Sequence, residues 1–382
     1  MKILILVPGL PQNINNIKGG VHSAVINLLY GFLSKNIDIR VISFTKEVKK
    51  KTIVKFSERI EIIHEPEGPF SFHSINYLLN GTFILKRNIK EFNPDLIHYQ
   101  TGNTLMFTKL LGTCRVKTIH TIHAFAFEEM KTKTTVKDKL TFWYNGVVNN
   151  LLPINNIIYI SDSSKQSHIN IKIKNSIVIP NALRPDYFNL LTKRKTTNRI
   201  LYIGVINNRK NLLFLLKTIN QLFSENINYS LDVLGDFTDV EYKNVINDFL
   251  KANEISNNIK FHGWVNQSES LKFIAETDIV AITSFQETLP MVIAESMAAG
   301  KVVISSDVGG IPEMINNSVD GFLFNFLNPK LFHDILHKLY NNHDFIFEIG
   351  SKAKDRAIST YHCDNVASKT ISFYRKCLEN KN

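Results

Sequence analysis

A chain of 382 residues, 44% apolar and 21% charged, is long enough for two domains with a core each. That balance excludes an intrinsically disordered chain. Three cysteines, Cys114, Cys363 and Cys377, form no C-x-x-C pair, which argues against a disulfide framework or a thiolate zinc site and suits a reducing cytosol. The net charge of +11 resides wholly in the first half, with 24 basic and 13 acidic residues through Asp186 and 21 of each beyond it. The densest cation runs are Lys46–Arg59, Lys86–Lys90 and Lys131–Lys139. Such a half can attract an anionic membrane surface, a polyphosphate or nucleic acid. A lysine-rich composition inherited from an AT-rich genome would give the same count.

In chain order, MKILILVPGL has too short an apolar core for a signal peptide and meets Pro8, Gly9 and Pro11 at once. It is expected to be a first buried strand. No run of 18 apolar residues occurs, so no membrane-spanning helix is expected. ILILVP, IRVISF, IEIIH, LIHYQ, VKTIHTI, IIYIS and SIVIP read as strands, and VHSAVINLLYGFLSKN and INYLLNGTFILKRNIKEF as helices. This alternation predicts βαβ units and a parallel sheet. After the polar stretch TKRKTTNR the pattern restarts with RILYIGV and continues through LDVLGD, IKFHGW, IVAITS, KVVISS and GFLF. The expected organisation is therefore α/β, with two Rossmann-like doubly wound domains. They span residues 1–190 and 198–362, with a boundary in Leu190–Asn198. A C-terminal helix in residues 363–382 packs on its own domain or reaches back to the first. Doubly wound sheets take their ligand at the carboxyl ends of the strands.

The segment from Glu287 to Gly310 carries the most chemistry. DIVAITS ends in a loop holding Glu287, after which a helix starts: Thr288 reads as its N-cap, Pro290 as its first turn and Gly300 as its C-cap. Free amides in the stretch Thr288–Met291, that is of Thr288, Leu289 and Met291 beside Pro290, would then form an anion site at the helix start. Glu295 falls ~7.5 Å further along the axis. Among Met291, Val292, Ile293 and Ala294 it is either an ordinary solvated residue or a ligand-binding carboxylate, and the neighbouring Glu287 favours the second.

Glu287, seven residues, Glu295, then Ser296 to Val303 and Gly309-Gly310-Ile311-Pro312-Glu313 resemble the E-x7-E region of the family-four retaining glycosyltransferases, glycosyl transferases group 1, of GT-B fold. Other matches follow in the family's order. They are Gly19-Gly20-Val21 opening the first helix, Pro94 to His98, Thr121-Ile122-His123 and Ile179-Pro180-Asn181. Gly204 through Lys210-Asn211, Gly235-Asp236 and Phe261-His262-Gly263 complete the set.

The resemblance implies two Rossmann-like domains facing across a cleft and a nucleoside-diphosphate sugar, UDP- or GDP-linked, as donor. It implies that Glu295 bonds the ribose hydroxyls and Glu287 faces the sugar. The amides of Thr288, Leu289 and Met291 beside Pro290, together with the Gly19-Gly20 backbone, approach the donor. Arg209 and Lys210 clamp the diphosphate, where charge develops as the glycosidic bond breaks. His123 stands near the reacting centre, whereas strand alternation turns His120 to the other face. The resemblance implies no covalent nucleophile; no cofactor is expected, and no metal, since no D-x-D pattern of the metal-dependent kind occurs.

The expected activity is retaining hexosyl transfer to a glycan or lipid-linked acceptor in bacterial surface polysaccharide synthesis. It is placed in the cytoplasm or on the inner membrane face, without a nucleic-acid partner. Val205 replaces the family's Arg, Thr288 a common Gly, and Ala182 the Gly of its PNG segment. A nucleotide-sugar epimerase of the same fold and a non-catalytic scaffold subunit are the alternatives.

Overall fold

The computed structural model describes residues 1–14, 17, 19–69, 76–100, 116–123, 154–166, 173–190 and 197–379. The chain forms two compact units. One comprises Met1–Ala182 with Cys363–Asn382, and the other Leu183–His362. The chain thus changes core at Ala182–Leu183 rather than within Leu190–Asn198. The reason is apolar anchoring: Leu183, Tyr187 and Phe188 are already buried in the second unit's core, ahead of the polar stretch that suggested a break.

The first unit is built on eight described strands: β1 (Lys2–Pro8), β2 (Asp38–Thr45), β3 (Thr52–Lys55), β4 (Ile60–Pro66), β5 (Leu96–Tyr99), β6 (Lys117–Ile122), β7 (Asn156–Tyr159) and β8 (Asn175–Val178). Their order is β3-β4-β2-β1-β5-β6-β7-β8, parallel throughout except for β3 against β4. Burial on both faces explains why the central strands read as continuous apolar runs. On one face Ile3, Ile5 and Val7 meet Val25, Leu29 and Phe32 of helix Gly20–Phe32, with Val366, Phe373 and Tyr374 of helix Cys363–Glu379. On the other, Leu4 and Leu6 meet Ile84 and Leu85 of helix Thr82–Phe92. A five-residue π-helical turn, Tyr77–Gly81, precedes that last helix.

The second unit contains β9 (Arg199–Ile203), β10 (Ser230–Leu234), β11 (Ile259–Gly263), β12 (Ile279–Ile282), β13 (Val302–Ser306) and β14 (Phe322–Phe324). They form a parallel sheet in the order β11-β10-β9-β12-β13-β14. The chain runs outward from β9 in one direction and returns to β12 on its other side. The crevice at the carboxyl ends of β9 and β12 is therefore the topological switch point, where such sheets take ligands. No helix among the described residues is long and apolar enough to cross a membrane.

Helices Gly20–Phe32 and Cys363–Glu379 approach so closely that a β-carbon on Gly31 would overlap the Cys363 carbonyl and crowd the Ala367 methyl. Gly31→Ala should therefore destabilise the first unit by roughly 1–3 kcal/mol, the usual cost of overpacking. The expected readout is a lowered denaturant midpoint; an unchanged midpoint would mean that the helices part freely.

Candidate active site

The second unit gathers Arg209, Lys210, Glu287 and the helix carrying Glu295 at the β9–β12 switch point. After β9 the chain makes a short 3-10 turn, Asn208–Lys210, capped by the Asn207 side chain, which accepts from the Lys210 amide at 3.1 Å. Asn211 follows in the left-handed region at φ 50° and starts helix Leu212–Ser224. The loop after β12 is laced to this turn. The Phe285 amide donates to the Arg209 carbonyl at 2.9 Å, Arg209 Nη1 to the Gln286 carbonyl at 2.9 Å, and Thr283 Oγ1 to the Asn211 carbonyl at 2.9 Å.

This lacing brings Lys210 Nζ into an ion pair with Glu287 Oε1, which also accepts from Ser284 Oγ at 2.7 Å. Arg209 Nη1 stands 4.0 Å from Glu287 Oε2. The Glu287 side chain is only 8% exposed, and burying a carboxylate requires such partners. A third strand supports the loop from behind. Ser306 Oγ, ending β13, donates to the Ser284 carbonyl at 2.6 Å, and the Gly310 amide to the Thr288 carbonyl at 3.0 Å. Gly309 lies at φ 59°, and a β-carbon there would fall on the Glu287 carbonyl, so glycine is required both by conformation and by close approach.

The helix after this loop spans Met291–Ala298, with Pro290 in the N-cap position at ψ 117° and no side-chain cap bond. Thr288 is therefore not the N-cap that its sequence position suggests. A cap at Thr288 would require Leu289 to be helical before a proline, which clashes with the proline ring. Leu289, Met291 and Val292 lie half-buried against the second unit's core. The amides at the start of this helix point along its axis toward the loop that holds Glu287.

Glu295 lies half-buried on that helix, where Tyr187 and the Arg184 guanidinium favour its ionised form. Burial outweighs both and raises its pKa to about 7. The two glutamates thus occupy opposite environments, one held among cations and one desolvated beside a phenol. Val205, in the loop after β9, is 43% exposed.

In the first unit, Gly19 sits at φ 102° in the N-cap position and Gly20 is the first residue of helix Gly20–Phe32. His123 follows the last residue of β6, and its Nε2–H donates to Gln100 Oε1 at 3.0 Å. Behind it, His98 Nδ1 lies 2.6 Å from the Tyr374 hydroxyl and Nε2 lies 2.7 Å from Thr121 Oγ1. His98, Gln100, Thr121 and His123 line a cavity of about 20 Å³ with Asn181 and Ala182. Burial lowers the His123 pKa to about 4 and, with His123 nearby, that of His98 to about 3, so both imidazoles are neutral at pH 7. His120 is fully buried on the other face and stacks on Tyr99 with ring centroids 4.8 Å apart.

Gln100, Ser284 and Tyr187 belong to these sites, although no motif in the sequence marks them. Gln100 and Ser284 share one readable signal, a polar residue just past an apolar strand in a parallel sheet.

Residues 184–356 match the family described as glycosyl transferases group 1, and residues 18–187 that described as glycosyltransferase family 4. Sucrose-phosphate synthase from Thermosynechococcus elongatus superposes with a TM-score of 0.82 at 15% identity over 100% of both chains. Anabaena HepE, solved with UDP and glucose, gives 0.74 at 18% identity, covering 98% of this chain and 99% of that one. A 41.2 kDa protein in the cps region of Klebsiella pneumoniae is 25% identical over 333 residues, 81% of this chain and 84% of its own. The lipopolysaccharide 1,2-N-acetylglucosaminetransferase of Salmonella typhimurium is 30% identical over 179 residues, 44% of this chain, and the match spans only 46% of that enzyme.

The fold and the site at its switch point define a sugar transferase built on two parallel-sheet α/β domains. The chain belongs to the group 1, family 4 glycosyltransferases and has their GT-B fold.

The raised pKa of Glu295 has a consequence for stability. Between the unfolded value near 4.5 and about 7 the native state binds more protons than the unfolded chain, so this group makes stability fall as pH rises through that window. Glu295→Gln removes the ionisation and should stabilise the protein at pH 8 by roughly 2 kcal/mol, with little effect at pH 4.5. Thermal midpoints at the two pH values test this; equal shifts at both would show that Glu295 is not held in a desolvated site.

Proposed function

We propose that the protein is a retaining glycosyltransferase that moves a hexose from a nucleoside-diphosphate sugar to a glycan or lipid-linked acceptor in bacterial surface polysaccharide synthesis. The observation that carries this reading is the joining of Arg209, Lys210 and Glu287 at the switch point, with Glu295 on the adjoining helix. Arg209, Lys210 and the start of helix Met291–Ala298 supply positive potential for a diphosphate leaving group. Glu295 accepts from the ribose hydroxyls. The UDP bound in HepE, the acetylglucosaminyl transfer of the Salmonella enzyme and the cps location of the Klebsiella protein support the donor and acceptor classes.

Glu287 holds Lys210 and Ser284 on one carboxylate oxygen, an arrangement suited to positioning rather than to nucleophilic attack. The reading therefore uses front-face substitution. The acceptor hydroxyl oxygen bonds to the anomeric carbon on the face that the diphosphate leaves. The C–O bond to phosphate breaks, and the departing phosphate oxygen takes the acceptor's proton. Neutral His123 offers hydrogen bonding rather than charge to the donor sugar. Cationic side chains neutralise the diphosphate, so no divalent metal or cofactor is required.

A screen of UDP-, GDP- and ADP-sugars, read by slow donor hydrolysis in the presence of EDTA, tests the reading. One nucleotide class should be hydrolysed with retention, and Glu295→Ala should weaken its binding at least tenfold while the fold persists. Binding of no nucleotide would point to a scaffold subunit. Donor interconversion without acceptor would point to an epimerase. Activity abolished by EDTA and restored by Mg²⁺ would remove the metal-free step.

A cytoplasmic protein acting on lipid-linked acceptors would meet the inner membrane face. Lys46, Lys49, Lys50, Lys51, Lys55 and Arg59 are all exposed in the first unit, with Ile53 also exposed among them; the run Lys131–Lys139 lies outside the described residues. Each cation near an anionic surface is worth about 1 kcal/mol. Cosedimentation with phosphatidylglycerol vesicles should fall with salt and be lost when the four lysines 46, 49, 50 and 51 are changed to glutamine. Salt-independent or absent binding removes the membrane from the reading.

A further inference from the structure

We propose that Gln100 fixes the tautomer of His123, holding the proton on Nε2 and leaving Nδ1 as a lone-pair acceptor for a hydroxyl of the transferred sugar. Gln100 is then a positioning residue. The sugar contact rests on the reading that His123 meets the donor sugar, whereas the tautomer follows from the first unit alone. There β5 and β6 are parallel neighbours. His98 and Gln100 at the end of one, and Thr121 and His123 at the end of the other, are two residues apart and so share a face. Gln100 is 2% exposed, and its backbone amide donates to the Leu6 carbonyl at 2.9 Å.

A side-chain amide can present either end to a partner, so its orientation follows from its surroundings. Gln100 Oε1 lies 3.0 Å from His123 Nε2. The other end, Gln100 Nε2, lies 3.4 Å from both ring nitrogens of His98. The Tyr374 hydroxyl at 2.6 Å and the Thr121 hydroxyl at 2.7 Å take the in-plane directions at those nitrogens, so the amide nitrogen stands over the ring face. An N–H there meets the electron-rich face of a neutral imidazole, whereas the reversed amide would press its oxygen lone pairs on it. The oxygen therefore stays toward His123. A carbonyl oxygen only accepts, so the imidazole nitrogen facing it carries the proton. The other nitrogen of a neutral ring, Nδ1, is then bare. Among the described residues the bond to Gln100 is the one hydrogen bond of this ring. Burial keeps the ring neutral at pH 7, so the lone pair persists. Such a nitrogen accepts from a hydroxyl and has nothing to offer a carboxylate or a fluorine, which are acceptors themselves. The site therefore selects a sugar with a free hydroxyl at this point.

The test uses the full chain labelled with 15N-histidine, the His123 ring signals being assigned by their loss in His123→Asn. In the unliganded chain at pH 7 the nitrogen shifts should place the proton on Nε2 and leave Nδ1 bare. Gln100→Leu should move both shifts toward the averaged tautomers of free histidine, a change that loss of packing alone does not produce. Saturating the wild-type chain with UDP-glucose or GDP-mannose should move the Nδ1 shift as its lone pair accepts. For the sugar nucleotide that binds, one deoxyfluoro analogue should bind about tenfold more weakly than the parent, a difference that disappears in His123→Ala. A proton on Nδ1, or shifts unchanged in Gln100→Leu, overturns the tautomer lock whatever binds. An Nδ1 shift indifferent to bound donor, or a fluorine effect that persists in His123→Ala, overturns the sugar contact. Binding of neither sugar nucleotide removes the donor reading and the sugar contact with it, while the unliganded spectrum still decides the lock.

Discussion

The carboxylate of Glu287 is the point on which the second unit's site depends. A buried anion without partners is costly, and this one is satisfied by Lys210 Nζ and Ser284 Oγ. That requirement fixes the turn after β9 against the loop after β12. The loop after β13 is drawn in as well, because the Glu287 carbonyl occupies the space that a side chain on Gly309 would need. Three strand ends are thereby held in one arrangement before any ligand arrives, which is what a site stabilising developing charge requires. The pairing also divides labour between the cations. Lys210 is committed to Glu287 and only 18% exposed, whereas the Arg209 side chain, 38% exposed, retains an open guanidinium face.

Eight positions separate Glu287 from Glu295, yet their environments push them apart. Glu287 is surrounded by donors, and Glu295 is half-buried on the helix that follows, whose other faces bury Ile293, Ala294 and Met297. Paired carboxyls in unlike surroundings are how one site obtains both a fixed charge and a proton-sensitive group at neutral pH.

Much of the parallel-sheet pattern was legible because strands buried on both faces are unbroken apolar runs bounded by turns. TIVK, which becomes β3, was not, since four residues following a lysine run carry no periodic signal and the strand exists by pairing antiparallel with β4. Of the site, Glu287, Arg209 and Lys210 could be named from the resemblance, but their mutual contact is a product of strand order. The helix starts later than the capping chemistry of Thr288 suggests, because Pro290 keeps Leu289 out of the helical region. Tyr187 and Gln267 lie 80 residues apart and meet only in the folded unit; no local pattern marks either.

The first unit shows how remote sequence can support a strand-end residue. His123 is held by Gln100, and beside Gln100 the buried His98 bridges Thr121 and the Tyr374 hydroxyl on helix Cys363–Glu379. A helix at the far end of the sequence is therefore part of the scaffold under the His123 position. Its return to the first unit means that the chain passes between the units twice, at Ala182–Leu183 and at His362–Cys363. The two passages are tied where they leave the second unit, by the Leu183 amide donating to the Tyr361 carbonyl at 2.7 Å and the bridge between Leu183 and His362. Both contacts lie within the second unit, and they help explain why Leu183, fully buried, marks the boundary in place of the polar residues that follow.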